Sequence, residues 1–520
     1  MSLETTMKRE MHLRTLLSQV RGAIQLGGED PVITGISTDS RTFQPGELFV
    51  AIKGDHHDGH IFIPQVLDRG APALVVEDLP SMLPRGKEAV VRVNNSRLAL
   101  AHMAAAFYRY PARRLICAGV TGTTGKTTTT FLLNAILEEA GLRTGLLGTV
   151  CQKIGDLVYP SDITTPEPLT LHRLFAAMVE QRVSHAVMEV SSHSLCQERV
   201  AGIPYAVAVF TNLSREHLNY HGSLARYLTS KAKLFSSLDP GAYAILNLDE
   251  PASGYLAQVT GAPIITYGTR TGADLRASRI KGKQQGLSFQ LALTRPLVTG
   301  GGAVLPPQQW DVALGLLGRH NVYNALGAVG AALALGITPE IIIRALKKFP
   351  GVPRRLEVVY RGAFTIIDDF GHNEASLKAV FHTIAGMDYR RLVIVNYLKG
   401  SRGVKANEIT ARHIVQAARK MRLARVITTR SDSHVIRKNI VRDEEEEAFT
   451  AIIAGAALPI VNTRELPDAI SLGLKSVGPG DLLLLLGPSG MDAGADLALR
   501  LLHQPPRQHR ILPTALVASG

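Results

Sequence analysis

The stretch Gly119-Val120-Thr121-Gly122-Thr123-Thr124-Gly125-Lys126-Thr127-Thr128 has the composition of a loop that holds phosphate. Glycines let consecutive backbone N–H groups turn inward, and a helix starting just after them adds the positive end of its dipole. Gly122, Thr123, Gly125 and Thr128 would frame a nucleotide's phosphate chain. Lys126 would reach the β- and γ-phosphates, and the Thr127 hydroxyl would hold Mg²⁺. The spacing departs from Gly-x4-Gly-Lys-[Ser/Thr], because Val120 stands where the first glycine belongs, with Gly119 and Gly122 on either side. The apolar run Leu115-Ile116-Cys117-Ala118 reads as a strand before the loop, and Thr127 to Ala140 as a helix after it, ended by Gly141. That is the context phosphate binding requires.

A second chemical segment is Ala186-Val187-Met188-Glu189-Val190, followed by Ser191-Ser192-His193. A carboxylate at the C-terminal end of a strand beside the phosphate loop is well placed to bind Mg²⁺. Taken alone, Glu189 also fits an ordinary strand-end residue. Arg215-Glu216-His217-Leu218-Asn219-Tyr220-His221 adds two histidines, each of which fits a satisfied structural histidine better than a ligand when read singly.

Positioning these groups takes alternating strands and helices. From Thr34 to Val76 the pattern is short strands and turns, with Phe49-Val50-Ala51-Ile52 a strand candidate, and a helix over Arg97 to Tyr108 closes the first unit before Pro111. Strand candidates at Ala186 to Val190 and Ala206 to Phe210 alternate with helical segments, the signature of a parallel α/β sheet. A β-rich stretch from Pro263 to Trp310 interrupts this rhythm, and helical periodicity returns from Asn321 to Lys348. Phe349-Pro350-Gly351-Val352-Pro353 then breaks the chain, and a third α/β unit follows. Its predicted strands are Phe364 to Ile367, Leu392 to Val395, Val426 to Thr428 and Leu482 to Leu486. The fold class is therefore α/β with three domains, at residues 1–110, 111–349 and 350–520. Asp443-Glu444-Glu445-Glu446-Glu447 reads as the solvated start of a helix rather than a metal site, and the last ~18 residues read as a frayed tail.

Composition excludes other classes. With 520 residues, 46% hydrophobic and 19% charged, the chain suits a globular protein of several domains. A formal net charge of +13 invites a polyanion, but no basic run interleaved with aromatics appears, so no nucleic-acid partner is expected. A multiply anionic small substrate accounts for the excess equally well. Cys117, Cys151 and Cys196 are far apart and form no Cys-x-x-Cys pair, which disfavours zinc and disulfides and points to a reducing compartment. Met1 to Val20 mixes charges into its apolar residues, unlike a signal peptide, and no apolar run approaches a membrane span. A cytoplasmic monomer without membrane association is expected.

The motifs also stand in a recognisable order. Gly122-Thr-Thr-Gly-Lys-Thr127, Thr164-Thr165-Pro166-Glu167-Pro168, Met188-Glu-Val-Ser-Ser-His193, Phe210-Thr-Asn-Leu-Ser-Arg-Glu-His217, Tyr227-Leu-Thr-Ser-Lys231 and Gly318-Arg-His-Asn321 resemble the Mur ligases in sequence and spacing. Within that family the resemblance is to the members that add the third residue of the peptidoglycan stem peptide. It runs from about Thr34 to Asp369 and implies a UDP-binding N-terminal domain, a central P-loop ATPase domain with a parallel sheet, and a C-terminal Rossmann-like domain. By the same resemblance, Ser40 in Thr38-Asp39-Ser40-Arg41 would contact the uridine nucleotide. Thr164, Thr165, Ser191, Gln197 and Arg199 would bind the muramoyl peptide. Lys231 would be carbamylated and, with Thr127, Glu189 and His217, would hold Mg²⁺. Asn321 would contact adenine, and Arg355 would approach ATP when the C-terminal domain closes. Asp369 and His372 would complete the site on the ATP and substrate sides. The implied catalytic set is Lys126, Glu189, His217 and Lys231.

After Asp369 the chain leaves the family's pattern. The Asp-Tyr-Ala-His-Thr-Pro positions read Asp369-Phe370-Gly371-His372-Asn373-Glu374, and the Gly-Gly-Asp-Arg-Asp loop reads Asn396-Tyr397-Leu398-Lys399-Gly400-Ser401-Arg402-Gly403. The Asp-Asn-Pro-Arg region of diaminopimelate-adding members reads Thr428-Thr429-Arg430-Ser431-Asp432-Ser433-His434, and the late Gly-Lys-Gly-His-Glu reads Gly487-Pro488-Ser489-Gly490-Met491-Asp492. The function the resemblance implies is ATP-dependent addition of an amino acid to UDP-N-acetylmuramoyl-L-alanyl-D-glutamate through an acyl phosphate, with ATP and Mg²⁺, in peptidoglycan precursor synthesis. Two alternatives stay open: a related ligase extending another peptide or a polyglutamate-type chain, and a nucleotide-binding paralogue that has lost turnover. Arg402, Arg430 and Asp432 are candidates for a substitute amino-acid site.

Overall fold

The computed structural model describes residues 9–54, 57–79, 86–283, 285–400, 403–435 and 439–505. Its strands form three main sheets, each with helices on both faces. In the first, the order is Ile24–Gly27, Ala89–Arg92, Ala73–Val76, Glu47–Val50, Gly35–Ser37, and all neighbours are parallel except the first pair. Alternate side chains serve opposite faces. Leu48, Val50, Ala73 and Val75 pack on the helix Ser96–Phe107, and Phe49, Leu74 and Val76 pack with Ile63 and Val66 of the helix Ile63–Asp68.

The large sheet runs Leu157–Pro160, Cys151–Ile154, Thr144–Leu147, His185–Glu189, Ile116–Thr121, Tyr205–Phe210, Tyr243–Asn247, Ile264–Gly268, Leu275–Lys283, Gly286–Leu293, Gln308–Leu314. From Thr144–Leu147 through Leu275–Lys283 every neighbour is parallel, and antiparallel strands extend it at both ends. Strands buried on both faces read as continuous apolar runs. Val120, Leu146, Val209 and Ile245 face the helices Lys126–Glu139, His320–Ala334 and Pro339–Lys348. Cys117, Leu147, Met188 and Phe210 face Pro168–Glu180 and Leu224–Ser236. Ser96–Phe107 of the first unit packs against Pro168–Glu180 of the second.

The third sheet has the order Glu357–Arg361, Thr365–Asp369, Leu482–Leu486, Leu392–Tyr397, Leu423–Thr429, Ile460–Thr463, antiparallel only in the first pair. The five leucines of Leu482–Leu486 are all buried at its centre. The two edge strands, Glu357–Arg361 and Ile460–Thr463, were not expected, since their residues are mostly half-exposed and carry no apolar run. The acidic run does start a helix, Asp443–Gly455, but it is not wholly solvated. Glu445 is fully buried and accepts hydrogen bonds from Gly403 N (3.1 Å) and Arg442 N (2.9 Å), because a carboxylate at this position satisfies N–H groups the helix leaves open. Arg402 and most of the expected tail lie outside the described residues. Among the described residues no helix is long and apolar enough to cross a membrane.

Candidate active site

The phosphate loop joins the strand Ile116–Thr121 to the helix Lys126–Glu139, and its backbone depends on two glycines. Gly122 and Gly125 have φ of 149° and 85°, a region other residues enter only with strain. A Cβ on Gly122 would lie 1.9 Å from Thr211 Oγ1, and one on Gly125 would lie 2.3 Å from Asn324 Oδ1. The next parallel strand's end holds the loop in shape. Thr123 N donates to Asn212 O at 2.9 Å, Thr124 N donates to Asn212 Oδ1 at 3.0 Å, and Thr211 Oγ1 donates to Thr124 O at 2.6 Å.

Two lysines converge on this loop. Lys126 Nζ donates to Gly122 O and Thr123 O at 2.9 and 3.0 Å, and Lys231 Nζ donates to the same Gly122 O at 2.8 Å. Lys231 is 1% exposed, behind the loop rather than on the cleft wall, with Tyr227's ring 4.3 Å away. Burial and then the neighbouring Lys126 hold its pKa well below the ordinary lysine range, and burial lowers that of Lys126 too. The environment therefore disfavours the charged ammonium form of Lys231.

Glu189 ends its strand at the loop and is 1% exposed. Its carboxylate accepts from Thr127 Oγ1 at 3.1 Å, from Thr149 N at 2.8 Å and from Thr149 Oγ1 at 3.2 Å. Thr164 Oγ1 lies 3.0 Å from Thr149 Oγ1. Thr165 Oγ1 donates to Glu189 O at 2.8 Å and accepts from Ser191 N at 3.1 Å, while Ser191 caps the helix Ser192–Cys196 through Ser194 N. Arg199 donates to Thr165 O at 3.0 Å and through Nε to Gln197 Oε1 at 3.0 Å, and pairs with Glu167 at 2.7 Å. The five residues assigned to the muramoyl peptide thus form one patch leading away from Glu189.

His217 lines the cleft, its ring 4.7 Å from that of His193 and 6.3 Å from that of Tyr227. His221 is buried behind it with Nε2 3.0 Å from Ser192 Oγ, and burial followed by His193 and Lys231 pushes its pKa down to about 4. It is a structural histidine, as its sequence context allowed.

The opposite wall comes from the third unit. Arg355 stacks over Phe370 at 4.7 Å, with Nη2 3.5 Å from Thr127 Oγ1. Asp369 shapes the turn that presents Arg355, accepting from Leu356 N and Gly371 N at 2.7 Å each. Burial raises its carboxyl pKa in spite of Arg355. Arg354 turns the other way, buried against Asp368 at 3.3 Å and Asp492. His372 Nε2 lies 3.8 Å from Glu216 Oε1, to which Asn373 Nδ2 donates at 2.7 Å. Asn321, 2% exposed, donates to Leu317 O and accepts from Asn324 Nδ2, both at 2.7 Å.

Together these walls enclose a cleft of about 620 Å³, reached by the loop, Thr164, Glu189, His217, Asn321, Arg355, Asp369 and His372. Thr165, Ser191, Gln197 and Arg199 lie outside its lining. Ser40 is buried in the first unit, its carbonyl accepting from Arg69, and is not part of this wall.

Comparison with known proteins decides which family built this arrangement. Residues 32–108 match the family model described as Mur ligase family, catalytic domain, residues 120–332 the Mur ligase middle domain, and residues 354–489 the Mur ligase, glutamate ligase domain. A UDP-N-acetylmuramoyl-L-alanyl-D-glutamate--2,6-diaminopimelate ligase of Geobacillus thermodenitrificans is 38% identical over 92% of this chain and 94% of its own length. The chain belongs to the Mur ligase family. A UDP-N-acetylmuramyl-tripeptide synthetase of Roseiflexus sp. is 35% identical, over 92% of this chain and 94% of its own. A solved 2,6-diaminopimelate ligase shares the fold with a TM-score of 0.64 at 23% identity, covering 95% of this chain and all of that one. The folylpolyglutamate synthase of Mycobacterium tuberculosis shares it with a TM-score of 0.61 at 19% identity, over 79% of this chain and 96% of that one.

Mur ligases are ATP-dependent amide-forming enzymes, and this chain's cleft contains residues that sequence reading passed over. Thr149 binds Glu189 from a loop without a motif. Asp249, at the C-terminal end of a parallel strand like Glu189, accepts from Tyr323 OH at 2.8 Å on the cleft's far side, and its strand-end position was the signal available. Glu216 stood beside His217 in a segment read only for its histidines. The Thr127 hydroxyl and Glu189 carboxylate are hard oxygen donors of the kind Mg²⁺ takes. Lys231 would supply such oxygens only as a carbamate.

Proposed function

We propose that this Mur ligase adds an amino acid to UDP-N-acetylmuramoyl-L-alanyl-D-glutamate at the expense of ATP. The observation that carries the reading is the single cleft in which the Lys126 loop and Glu189 face Arg355 of a separate unit, with the Thr164–Arg199 patch running off from it. In this reading residues 1–110 bind the UDP substrate through Ser40, residues 111–349 bind ATP and perform the transfer, and residues 350–520 receive the amino acid. A monomer in the cytoplasm suffices.

ATP lies with its phosphates on Gly122, Thr123, Gly125, Thr127 and Thr128 and its base toward Asn321. Lys126 leaves the Gly122 and Thr123 carbonyls for the β/γ-phosphates, where it and Arg355 offset the charge that develops as the γ-phosphoryl group moves. A carboxylate oxygen of the acceptor, held by Thr164, Thr165, Ser191, Gln197 and Arg199, attacks phosphorus, releasing ADP and forming an acyl phosphate. The amine of the incoming amino acid then attacks the carbonyl carbon and loses a proton. The C–O bond breaks, and phosphate leaves with the former carboxylate oxygen. Thr127 and Glu189, with His217 and a carbamate on Lys231, would hold Mg²⁺, which when bound supplies Lewis-acid neutralisation of the phosphates. Burial disfavours the Lys231 ammonium, and its amine, once neutral, would take up CO₂ with loss of one proton. Closure of the third unit, with His372 near the acceptor, excludes water from the acyl phosphate.

Arg430 is tied to Glu446 at 2.5 Å and Asp443 at 2.6 Å rather than open to a ligand carboxylate. The test is phosphate release by the purified protein with UDP-N-acetylmuramoyl-L-alanyl-D-glutamate, screened across amino acids. Release should require both the acceptor and one amino acid, and release indifferent to the acceptor would refute the reading.

A further inference from the structure

The helix Glu374–Ala385 forms part of the cleft's third-unit wall through Ala375, Ser376, Ala379 and Val380. It meets the ATP-binding unit near both ends. Late in the helix, Thr383 abuts Gly318, where a Cβ would lie 2.7 Å from Thr383 Oγ1. At its start stands Asn373, where the family pattern has threonine.

Asn373 uses both ends of its amide. Oδ1 accepts from Ser376 N at 2.9 Å, capping the helix, and Ser376 Oγ accepts in turn from Asn373 N at 3.1 Å. Nδ2 donates to Glu216 Oε1 across the cleft at 2.7 Å. Glu216 is half-buried in the segment that presents His217, and its charge acts on both Lys126 and Lys231. A hydrogen bond to a carboxylate is among the stronger kinds, and a side chain already fixed by its own helix cap loses little freedom in making it. Threonine or serine caps as well but is too short to span to Glu216 and offers no N–H.

We propose that Asn373 is a positioning residue that latches the third unit closed over the nucleotide: one amide caps the cleft-lining helix and clamps it to Glu216. The latch fixes the distance between the Asp369–Gly371 turn, which holds Arg355, and the phosphate loop. It thereby sets nucleotide affinity and the rate of phosphoryl transfer without touching the reacting atoms. This inference rests on ATP occupying the cleft.

The two jobs of Asn373 separate by substitution. Asn373→Ser and Asn373→Asp both keep a capping oxygen for Ser376 N, so both should melt as the wild type does. The first lacks reach, and the second sets a carboxylate against Glu216. Each should weaken ADP binding, measured by calorimetry, roughly ten- to a hundredfold, the scale of one hydrogen bond to a charged group. KM for ATP should rise and kcat fall while KM for the UDP substrate stays unchanged. Glu216→Gln provides the decisive background, because its amide can donate to a carboxylate at position 373. There, Asn373→Asp should cost less than about threefold, while Asn373→Ser should still lose roughly three- to tenfold, the scale of one neutral hydrogen bond, since it still cannot reach. Wild-type ADP affinity in Asn373→Ser and Asn373→Asp, or an equal loss from Asn373→Asp in both backgrounds, overturns the latch. Failure of the wild type to bind ADP at all would instead overturn the nucleotide reading on which it rests.

Discussion

His172 lies in the helix Pro168–Glu180, which begins just after Thr164 and Thr165 and packs against the first unit. It is 1% exposed, and neither ring nitrogen has a hydrogen-bond partner among the described residues. Burial, reinforced by the charge of His102, depresses its pKa from 6.5 to about 4. A histidine that must stay neutral in the native state makes the unfolded chain the stronger proton binder between those values, so stability rises with pH across that window and falls as pH drops from 6.5 toward 4. At pH 5 the unfolded imidazole is almost fully charged and the native one almost fully neutral, a penalty of about 2 kcal/mol, growing to roughly 3 kcal/mol below pH 4. Replacing the ring by an apolar side chain of similar bulk, His172→Leu, removes that penalty. Thermal melts of both proteins at pH 8 and pH 5 should show the variant's advantage growing by about 2 kcal/mol, roughly 4–8 °C in a unit of this size. His221, also depressed to about 4, titrates in both proteins and cancels in the difference. Parallel melting curves, with a gap independent of pH, would refute the claim that His172 is held neutral.

Other predictions concern the site. Gly125→Ala must hold a left-handed residue and displace Asn324, costing at least about 1–2 kcal/mol at the loop, so ADP affinity should fall about tenfold or more and the melting temperature by about 2–8 °C. Lys231→Ala should lose turnover, and acetate or formate should restore part of it where bicarbonate restores none. Wild-type rates in that variant would remove the carbamate from the account. In kcat/KM, meso-diaminopimelate should not be the preferred amino acid over L-lysine, L-ornithine and smaller ones, because recruiting Arg430 to a substrate carboxylate requires breaking its pairs with Glu446 and Asp443. A clear preference for meso-diaminopimelate would show that another group serves that carboxylate.

What could be read from the sequence was whatever the chain encodes over a few residues. The phosphate loop announces itself because glycine positions, lysine and helix start are contiguous, and Glu189 because it ends an apolar strand. Leu482–Leu486 was visible as a buried strand, whereas Glu357–Arg361 and Ile460–Thr463 were not, since edge strands need no apolar run. The helical periodicity from Asn321 to Lys348 is carried by two helices, His320–Ala334 and Pro339–Lys348, the second starting at a proline suited to a first turn. Contacts across the cleft were out of reach of any local pattern. Glu216 and Asn373 meet over 157 positions, and Arg355 approaches Thr127 over 228. Glu445 defied its surroundings because burial of a carboxylate depends on which loop covers it, here the one at Gly403.

In the proposed reaction the cleft transfers a phosphoryl group to a carboxylate before the amide forms. The direct measurement is the fate of oxygen: UDP-N-acetylmuramoyl-L-alanyl-D-glutamate labelled with ¹⁸O in its acceptor carboxylate, turned over with ATP and the preferred amino acid, and the phosphate analysed by mass spectrometry. Passage through an acyl phosphate places one labelled oxygen in each phosphate released alongside the new amide. Amide product accompanied by unlabelled phosphate would exclude an acyl phosphate intermediate.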